Sequence, residues 1–294
     1  MNLKSALLLP LLAAGLLAAC DNSPAPQKQA AAAKPETSAA PSESYLEKIK
    51  QRDKLIVGVF SDKPPFGFVN EQGEYVGFDT DIAKRFAKDL LGDEKKVEFV
   101  VVEPASRIPF LQSDKVDLIL ANMTVTPERA EVVDFTNPNL RVAVQAIVPA
   151  DSSVQKLDDL ADKTTIVTTG TTADIWLTQN RPDWKLLKFE KNSESLQALA
   201  NGRGDAYAQD NLILFGWSKQ NPGYRILNEK LGDEAPIAPA VKKGNTELRD
   251  WVDQELAKLG EEKFLLKLYD QYVRKDLAED TDPASVIVEG GKWQ

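Results

Sequence analysis

The stretch Val116-Asp-Leu-Ile-Leu-Ala-Asn-Met-Thr-Val-Thr-Pro-Glu-Arg129 decides the fold class. Its first six residues, through Ala121, form a short β-rich run that reads as a strand. The polar residues after it lead to Thr126-Pro127-Glu128-Arg129, which spells the start of a helix. Thr caps, Pro takes the first helical position, where its missing N–H costs nothing, and an acid sits in the first turn. A strand that turns within a few residues into a capped helix is the repeating unit of an α/β fold with largely parallel strands.

The same unit recurs on both sides. Upstream, Lys54-Leu-Ile-Val-Gly-Val-Phe60 reads as a strand running into a Pro64-Pro65 turn. Gly77-Phe-Asp79 then leads into a helix expected to be capped by Asp79, with Ile82, Phe86 and Leu90 on one face. Residues 97–102 form another strand. Downstream, a second block contains a strand at 164–168, the turn Thr169-Gly170-Thr171, a helix over 172–180, a strand at 185–189, a helix over 193–201 and a strand at 205–208. Ile237-Ala-Pro-Ala-Val241 and amphipathic helical patterns over 246–273 then resume without a new opening strand-helix unit. This places the middle block as an inserted lobe, with chain crossings expected near 144–148 and 235–241. Clefts between lobes are where small-molecule sites lie.

Composition narrows the chemistry. The 294 residues are 43% hydrophobic and 28% charged, in the range of folded globular chains. A formal charge of −9 disfavours phosphate backbones and anionic lipid, so nucleic acid is not an expected partner. There is no His and a single Cys, which removes the commonest general base, disulfides and Cys-rich metal sites; no metal and no cofactor are expected. Catalysis, if any, would need carboxylates, Lys or Tyr.

The N-terminus has Lys4, then an apolar run over 6–19 too short to span a bilayer, ending in Leu17-Ala-Ala-Cys20. Residues 1–19 read as a signal peptide, and the Leu-Ala-Ala-Cys ending resembles the lipobox of bacterial lipoproteins, which implies diacylation of Cys20 and removal of the peptide before it. Asp21 resembles the inner-membrane retention signal. Residues 20–44 are mostly Ala, Pro, Ser, Lys and Gln and read as a flexible, lipid-anchored linker.

The ordered motifs Leu55-Ile-Val-Gly-Val, Pro64-Pro-Phe-Gly-Phe68, Gly77-Phe-Asp-Thr-Asp81, Arg107-Ile-Pro-Phe-Leu111, the stretch 116–129, Val133-Asp-Phe135, Gly170-Thr-Thr172, Gly202-Arg-Gly-Asp205 with Gln209-Asp210, and Ile237-Ala-Pro-Ala-Val241 resemble the bacterial extracellular solute-binding proteins of family 3. Leu186-Leu-Lys-Phe189, Asp210-Asn211 and Asn221-Pro-Gly-Tyr224 look most like the cysteine-binding branch. The resemblance implies a two-lobe periplasmic binding protein fold, type II or Venus-flytrap, with two crossover strands. It places lobe 1 at 45–145 plus 236–280, lobe 2 at 146–235 and a tail at 281–294. It implies a monomeric amino-acid receptor on the periplasmic side of the inner membrane, delivering to the membrane permease subunits of an ABC importer. Aspartate, glutamate or cystine as ligand remains open, as does an enzyme like the periplasmic cyclohexadienyl dehydratases.

A free amino acid presents a carboxylate and an ammonium, so its receptor needs a planar donor fork and an anionic acceptor. The resemblance puts Arg129 at the carboxylate, a role that suits its bidentate geometry, although an isolated helix Arg is usually solvated. It assigns Thr124 a hydroxyl and a backbone N–H, and the Asn122 carbonyl an ammonium. Thr171 and Thr172 stand where a strand becomes a helix, facing the carboxylate's other side or simply capping. Asp210 matches the acid that pairs with the ammonium, or is an N-cap for the helix reaching Lys219. Phe60 ends the first strand and makes an apolar wall, which disfavours cationic side chains. Arg107 matches an Arg that reaches acidic ligands in relatives, or lies on a helix surface. Phe66 and Phe68 line the pocket or belong to the core.

Overall fold

The computed structural model describes residues 44–292, so the lipid-anchor residue Cys20, the signal peptide and all but the end of the linker lie outside the described residues. Helix α1 (Tyr45–Arg52) is capped by the Ser44 hydroxyl, which accepts from Glu47 N. Strand β1 (Leu55–Val59) is buried among apolar neighbours, and Phe60 continues its line fully buried. A small antiparallel sheet follows, made of β2 (Asp62–Lys63), β3 (Gly67–Val69) and β4 (Tyr75–Val76).

Helix α2 (Phe78–Leu91) buries Ile82 and Phe86 as its pattern requires, but its N-cap is Gly77, not the expected Asp79. The reason is local. Gly77 has φ 127°, and a Cβ there would sit 2.4 Å from the Phe66 carbonyl oxygen, so the entry demands glycine. Asp79 falls inside the first turn and turns its carboxylate inward.

Strand β5 (Val97–Val101) pairs in parallel with β1. Helix α3 (Arg107–Gln112) leads to β6 (Leu118–Ile119), also parallel to β1. That strand is shorter than the apolar run suggests because the Asp117 carboxylate is drawn to Arg52, Tyr45 Oη and the N–H of Ile56. Helix α4 (Pro127–Val132) starts as its residues spell, with the Thr126 hydroxyl accepting from Arg129 N at 3.3 Å. Strand β7 (Val133–Phe135) completes the first sheet from the other side of the returning strand.

Leu140–Val142 (β8) then leaves that sheet, and β9 (Val144–Pro149) already belongs to the second one, hydrogen-bonded to two of its strands. The first crossing therefore lies a few residues earlier than expected. The apolar run 142–148 conceals the break, which Asn211 makes by exchanging hydrogen bonds with Ala143.

The second lobe is built from β10 (Thr164–Thr168), α5 (Thr172–Asn180), β11 (Lys185–Phe189), α6 (Asn192–Ala200), β12 (Ala206–Asp210), α7 (Asn211–Gln220) and β13 (Tyr224–Lys230). Its sheet order is β11-β10-β12-β9-β13. The chain returns through β14 (Ala235–Ile237), paired antiparallel to β8, and enters the first sheet as β15 (Ala240–Lys242), giving the order β5-β1-β6-β15-β7. Two sheets joined by the β8/β14 pair are the two-lobe architecture with two crossover strands.

Helix α8 (Thr246–Glu261) buries Leu248, Val252, Leu256 and Leu259 along one stripe against β1 and α2, and α9 (Phe264–Leu268) extends that core. Beyond it, residues 286–288 are buried and lie along β8: Arg141 N donates to Val286 O at 2.7 Å, Val288 N to Asn139 O at 2.9 Å, and Leu140 bridges Ile287. Among the described residues no helix is long and apolar enough to cross a membrane.

Candidate functional site

The loops at the carboxyl ends of the parallel strands of both lobes face one another, the usual place for a ligand in open α/β sheets. The loop after β6 is the organiser. Asn122 adopts φ 44°, a left-handed conformation that Asn tolerates better than most residues. This single kink points three groups in three directions. Its N–H donates to Asp79 Oδ2 at 2.7 Å, its carbonyl accepts from Arg107 Nη1 at 3.0 Å, and its Nδ2 donates across the cleft to Asp210 Oδ2 at 2.7 Å.

Arg129, one turn into α4, is 5% exposed. Its Nη1 donates to Thr124 O at 2.8 Å in its own lobe and its Nη2 to Gly170 O at 3.0 Å in the other. A guanidinium has five N–H donors, so the fork retains capacity for an anion between the lobes. Arg107 is not on the helix surface: it is 3% exposed and donates to four carbonyls, those of Pro104, Ala121, Asn122 and, at 3.4 Å, Gly170. Its guanidinium is largely committed to holding these loops. Burial, then the neighbouring Arg129, lowers its pKa well below the usual value; burial likewise lowers Arg129.

From the second lobe, Thr171 caps α5: its hydroxyl accepts from Asp174 N at 3.3 Å and donates to Thr168 O at 2.7 Å. The Asp174 carboxylate reaches Gly170 N instead of closing a full capping box. The Thr172 hydroxyl donates across the cleft to Thr124 Oγ1 at 3.0 Å. Asp210 stands at the N-cap position of α7, yet its side chain makes no cap bond and points to Asn122. Burial raises its pKa, while Lys63, Asn122, Arg107 and Arg129 pull it down. Phe60 is fully buried, with Lys63 Nζ 4.1 Å and the Arg107 guanidinium 5.6 Å from its ring centre. The structure thus brings together Phe60, Arg107, Asn122, Thr124, Arg129, Thr172 and Asp210, with Thr171 one residue behind. Phe66 is core; half-buried Phe68 packs edge-on against Tyr272.

The lobes touch around this cluster. Gly170, at φ 78°, lies so close to the other lobe that a Cβ would meet Ala105 Cα and N at 2.8 Å. On the opposite flank, Ser193 N donates to Asp62 Oδ2 at 2.8 Å. Cavities of about 360 and 370 Å³ lie to either side, one bounded by Arg107, Arg129 and Gly170, the other by Asp62, Asn192 and Trp217.

The family model of bacterial extracellular solute-binding proteins, family 3, matches residues 55–275, which takes in every residue of this cluster. The chain belongs to that family. Among family 3 relatives, the ABC transporter glutamine-binding protein GlnH of Bacillus subtilis (strain 168) is 35% identical over 274 residues, covering 92% of this chain and 97% of the relative. The crystal structure of the cysteine-binding protein from Campylobacter jejuni superposes with a TM-score of 0.82 at 48% identity, covering 84% of this chain and all of that one. The solute receptor for L-cysteine of Neisseria gonorrhoeae superposes with a TM-score of 0.81 at 44% identity, covering 83% and 99%.

Two members of this cluster escape a reading of sequence alone. Asp79 looks like a helix cap, whereas it is 1% exposed, carries an unpaired Oδ1, and is raised to about 6, chiefly by burial. Lys63, in the polar run Ser61-Asp-Lys63, is singled out by no motif, yet it is 2% exposed. No periodic signal marks either, because the groups around them come from segments distant in the chain, Asn122 for Asp79 and Arg107 and Asp210 for Lys63.

Proposed function

We propose that this chain is the substrate-binding lipoprotein of an amino-acid ABC importer, which captures a polar amino acid, cysteine, between its lobes and delivers it to the membrane permease. The observation that carries this reading is the meeting of the Arg129 fork and the Asp210 carboxylate where the two lobes touch, in a chain 44–48% identical to solved cysteine-binding proteins. Arg129 takes the ligand carboxylate, assisted by Thr124 and Thr172. Asp210 and the second lone pair of the Asn122 carbonyl take the ammonium. Phe60 walls the side-chain pocket, Thr171 holds the α5 turn in place, and Arg107 positions the Asn122 loop.

Closure over the ligand excludes water and strengthens the charged contacts, and the closed form is what the permease recognises. Acyl chains on Cys20 hold the receptor at the periplasmic side of the inner membrane as a monomer and raise its local concentration near the importer. The site captures without chemistry.

Titration calorimetry of the full chain against all amino acids and cystine tests this reading. Cysteine is expected to bind most tightly; a response confined to aspartate and glutamate, or to cystine, reassigns the ligand. Turnover of prephenate or arogenate, followed by mass spectrometry, would replace capture with catalysis.

A further inference from the structure

Lys63 is a charged member of the cluster without a partner in the contacts assigned above. Its ammonium lies on the Phe60 face, 2% exposed, and among the described residues no hydrogen-bond acceptor meets it. An ammonium carries three donors, so Lys63 has capacity for an anionic group of a ligand. Charged groups act on it from several elements: Asp62 beside it on β2, Asp79 on α2, Glu103 ahead of α3, Arg107 on α3 and Asp210 at the end of β12. Burial first, and then Arg107, lowers Lys63 to about 8, against the pull of Asp210, Asp62 and Glu103. Glu103, at the cleft edge, is raised to about 7 by burial and by Asp62.

The wholly buried groups do not balance. Lys63, Arg107 and Arg129 are cationic, whereas Asp79 and Asp210 are the matching acids, which leaves one positive charge in excess. A zwitterionic amino acid adds none of its own. A ligand whose side chain ionises inside the closed site removes the excess and gives Lys63 its acceptor.

We propose that Lys63 reads the ligand side chain and that cysteine is held as its thiolate, the sulfur against the Lys63 ammonium; this rests on the reading of the cleft as an amino-acid site. The S–H bond breaks heterolytically, the electron pair stays on sulfur and the proton leaves to solvent, with nothing oxidised or reduced. A free thiol near pKa ~8.5 arrives protonated at pH 7, so capture releases about one proton per ligand. An adjacent cation in a water-poor site is what lowers a thiol. Phe60 keeps water from the sulfur and packs against it.

The test is calorimetry of the full chain in detergent at pH 7, with a phosphine reductant, in buffers of low and high ionisation enthalpy, since the slope of heat against buffer enthalpy counts protons. Wild type is expected to release about one proton per cysteine and close to none with serine. Lys63→Met and Lys63→Gln are expected to abolish the release and weaken cysteine about 10- to 100-fold, with serine changed less than about threefold. Cysteine heats with a flat buffer slope in wild type overturn the thiolate without touching the receptor reading, and need no variant to fold. Aspartate binding more tightly than cysteine, and losing its affinity in Lys63→Met, reassigns the lysine to a carboxylate and overturns it too. No cysteine heat in wild type overturns this inference, and with heat from another amino acid it only reassigns the ligand; no heat from any amino acid or cystine overturns the receptor reading itself.

Discussion

Replacing Gly170 by Ala tests whether ligand affinity depends on lobe contact at this position. Gly170 carries two burdens: a φ of 78°, and an approach to Ala105 so close that a Cβ would lie 2.8 Å from backbone atoms of the other lobe. The first costs an Ala about 1–2 kcal/mol, but it is a strain within lobe 2 and is present whether the cleft is open or closed. The second acts on the closed form alone, because the methyl group forces the lobes apart. That withdraws the Gly170 carbonyl from Arg129 Nη2, now 3.0 Å away, and from Arg107 Nη2 at 3.4 Å. A hydrogen bond to a charged donor contributes about 1.5–3 kcal/mol, and the longer contact less. Closure is therefore disfavoured by roughly 2–4 kcal/mol, which lowers ligand affinity about 30- to 1000-fold. Gly202 supplies the control, since its φ is 67° and nothing lies within 4 Å of a Cβ there. Gly202→Ala carries the same backbone strain without the clash and is expected to keep wild-type affinity. Calorimetry measures the affinities, and small-angle scattering measures compaction on adding ligand. A Gly170→Ala variant within about threefold of wild type that still compacts, or a Gly202→Ala variant that loses affinity equally, would refute the reasoning.

Other consequences are as direct. Arg129→Ala truncates a buried charge pairing and is expected to cost about 2–5 kcal/mol of ligand affinity, with thermal unfolding nearly unchanged; equal calorimetric affinity removes Arg129 from the site. Asp79 has a folded-state value near 6 against 3.8 for the free group, so the folded state binds the extra proton between those values. Wild-type stability relative to Asp79→Asn is therefore expected to fall as pH rises from 3.8 through about 6 and then level off; a rise measured by urea unfolding means Lys63 and Arg107 outweigh burial. Cys20→Ser is expected to release the protein from membranes, and radioactive palmitate persisting in that variant excludes acylation at Cys20.

Where structure is dictated by near neighbours, the sequence is legible. Strand β10, helix α5 and strand β11 fall at the bounds their residue patterns imply, and Thr126-Pro127 starts α4 as written. The site is legible to the extent that it consists of strand-end residues inside such motifs, as Asn122, Thr124 and Asp210 do. What stays hidden depends on atoms distant in the chain. Asp79 has every local mark of a cap, but the peptide N–H of Asn122, 43 positions away, claims its carboxylate. Lys63 carries no local mark of burial, yet its ammonium lies on the Phe60 ring with Arg107, from a later helix, acting on it. The first crossing is hidden inside an apolar run because the residue that ends β8, Asn211, lies 68 positions further along the chain, just after β12.

Residues 286–288 lie along β8, so one of the two strands that must flex during closure carries a third strand-like segment on its free edge. That attachment turns the segment into a strain gauge. A fluorophore placed just beyond it rides on the hinge rather than on either lobe, and reports bending without touching the ligand. Weakening the attachment, for instance with Ile287→Gly, softens the spring and speeds ligand exchange from a point remote from every group that meets the ligand.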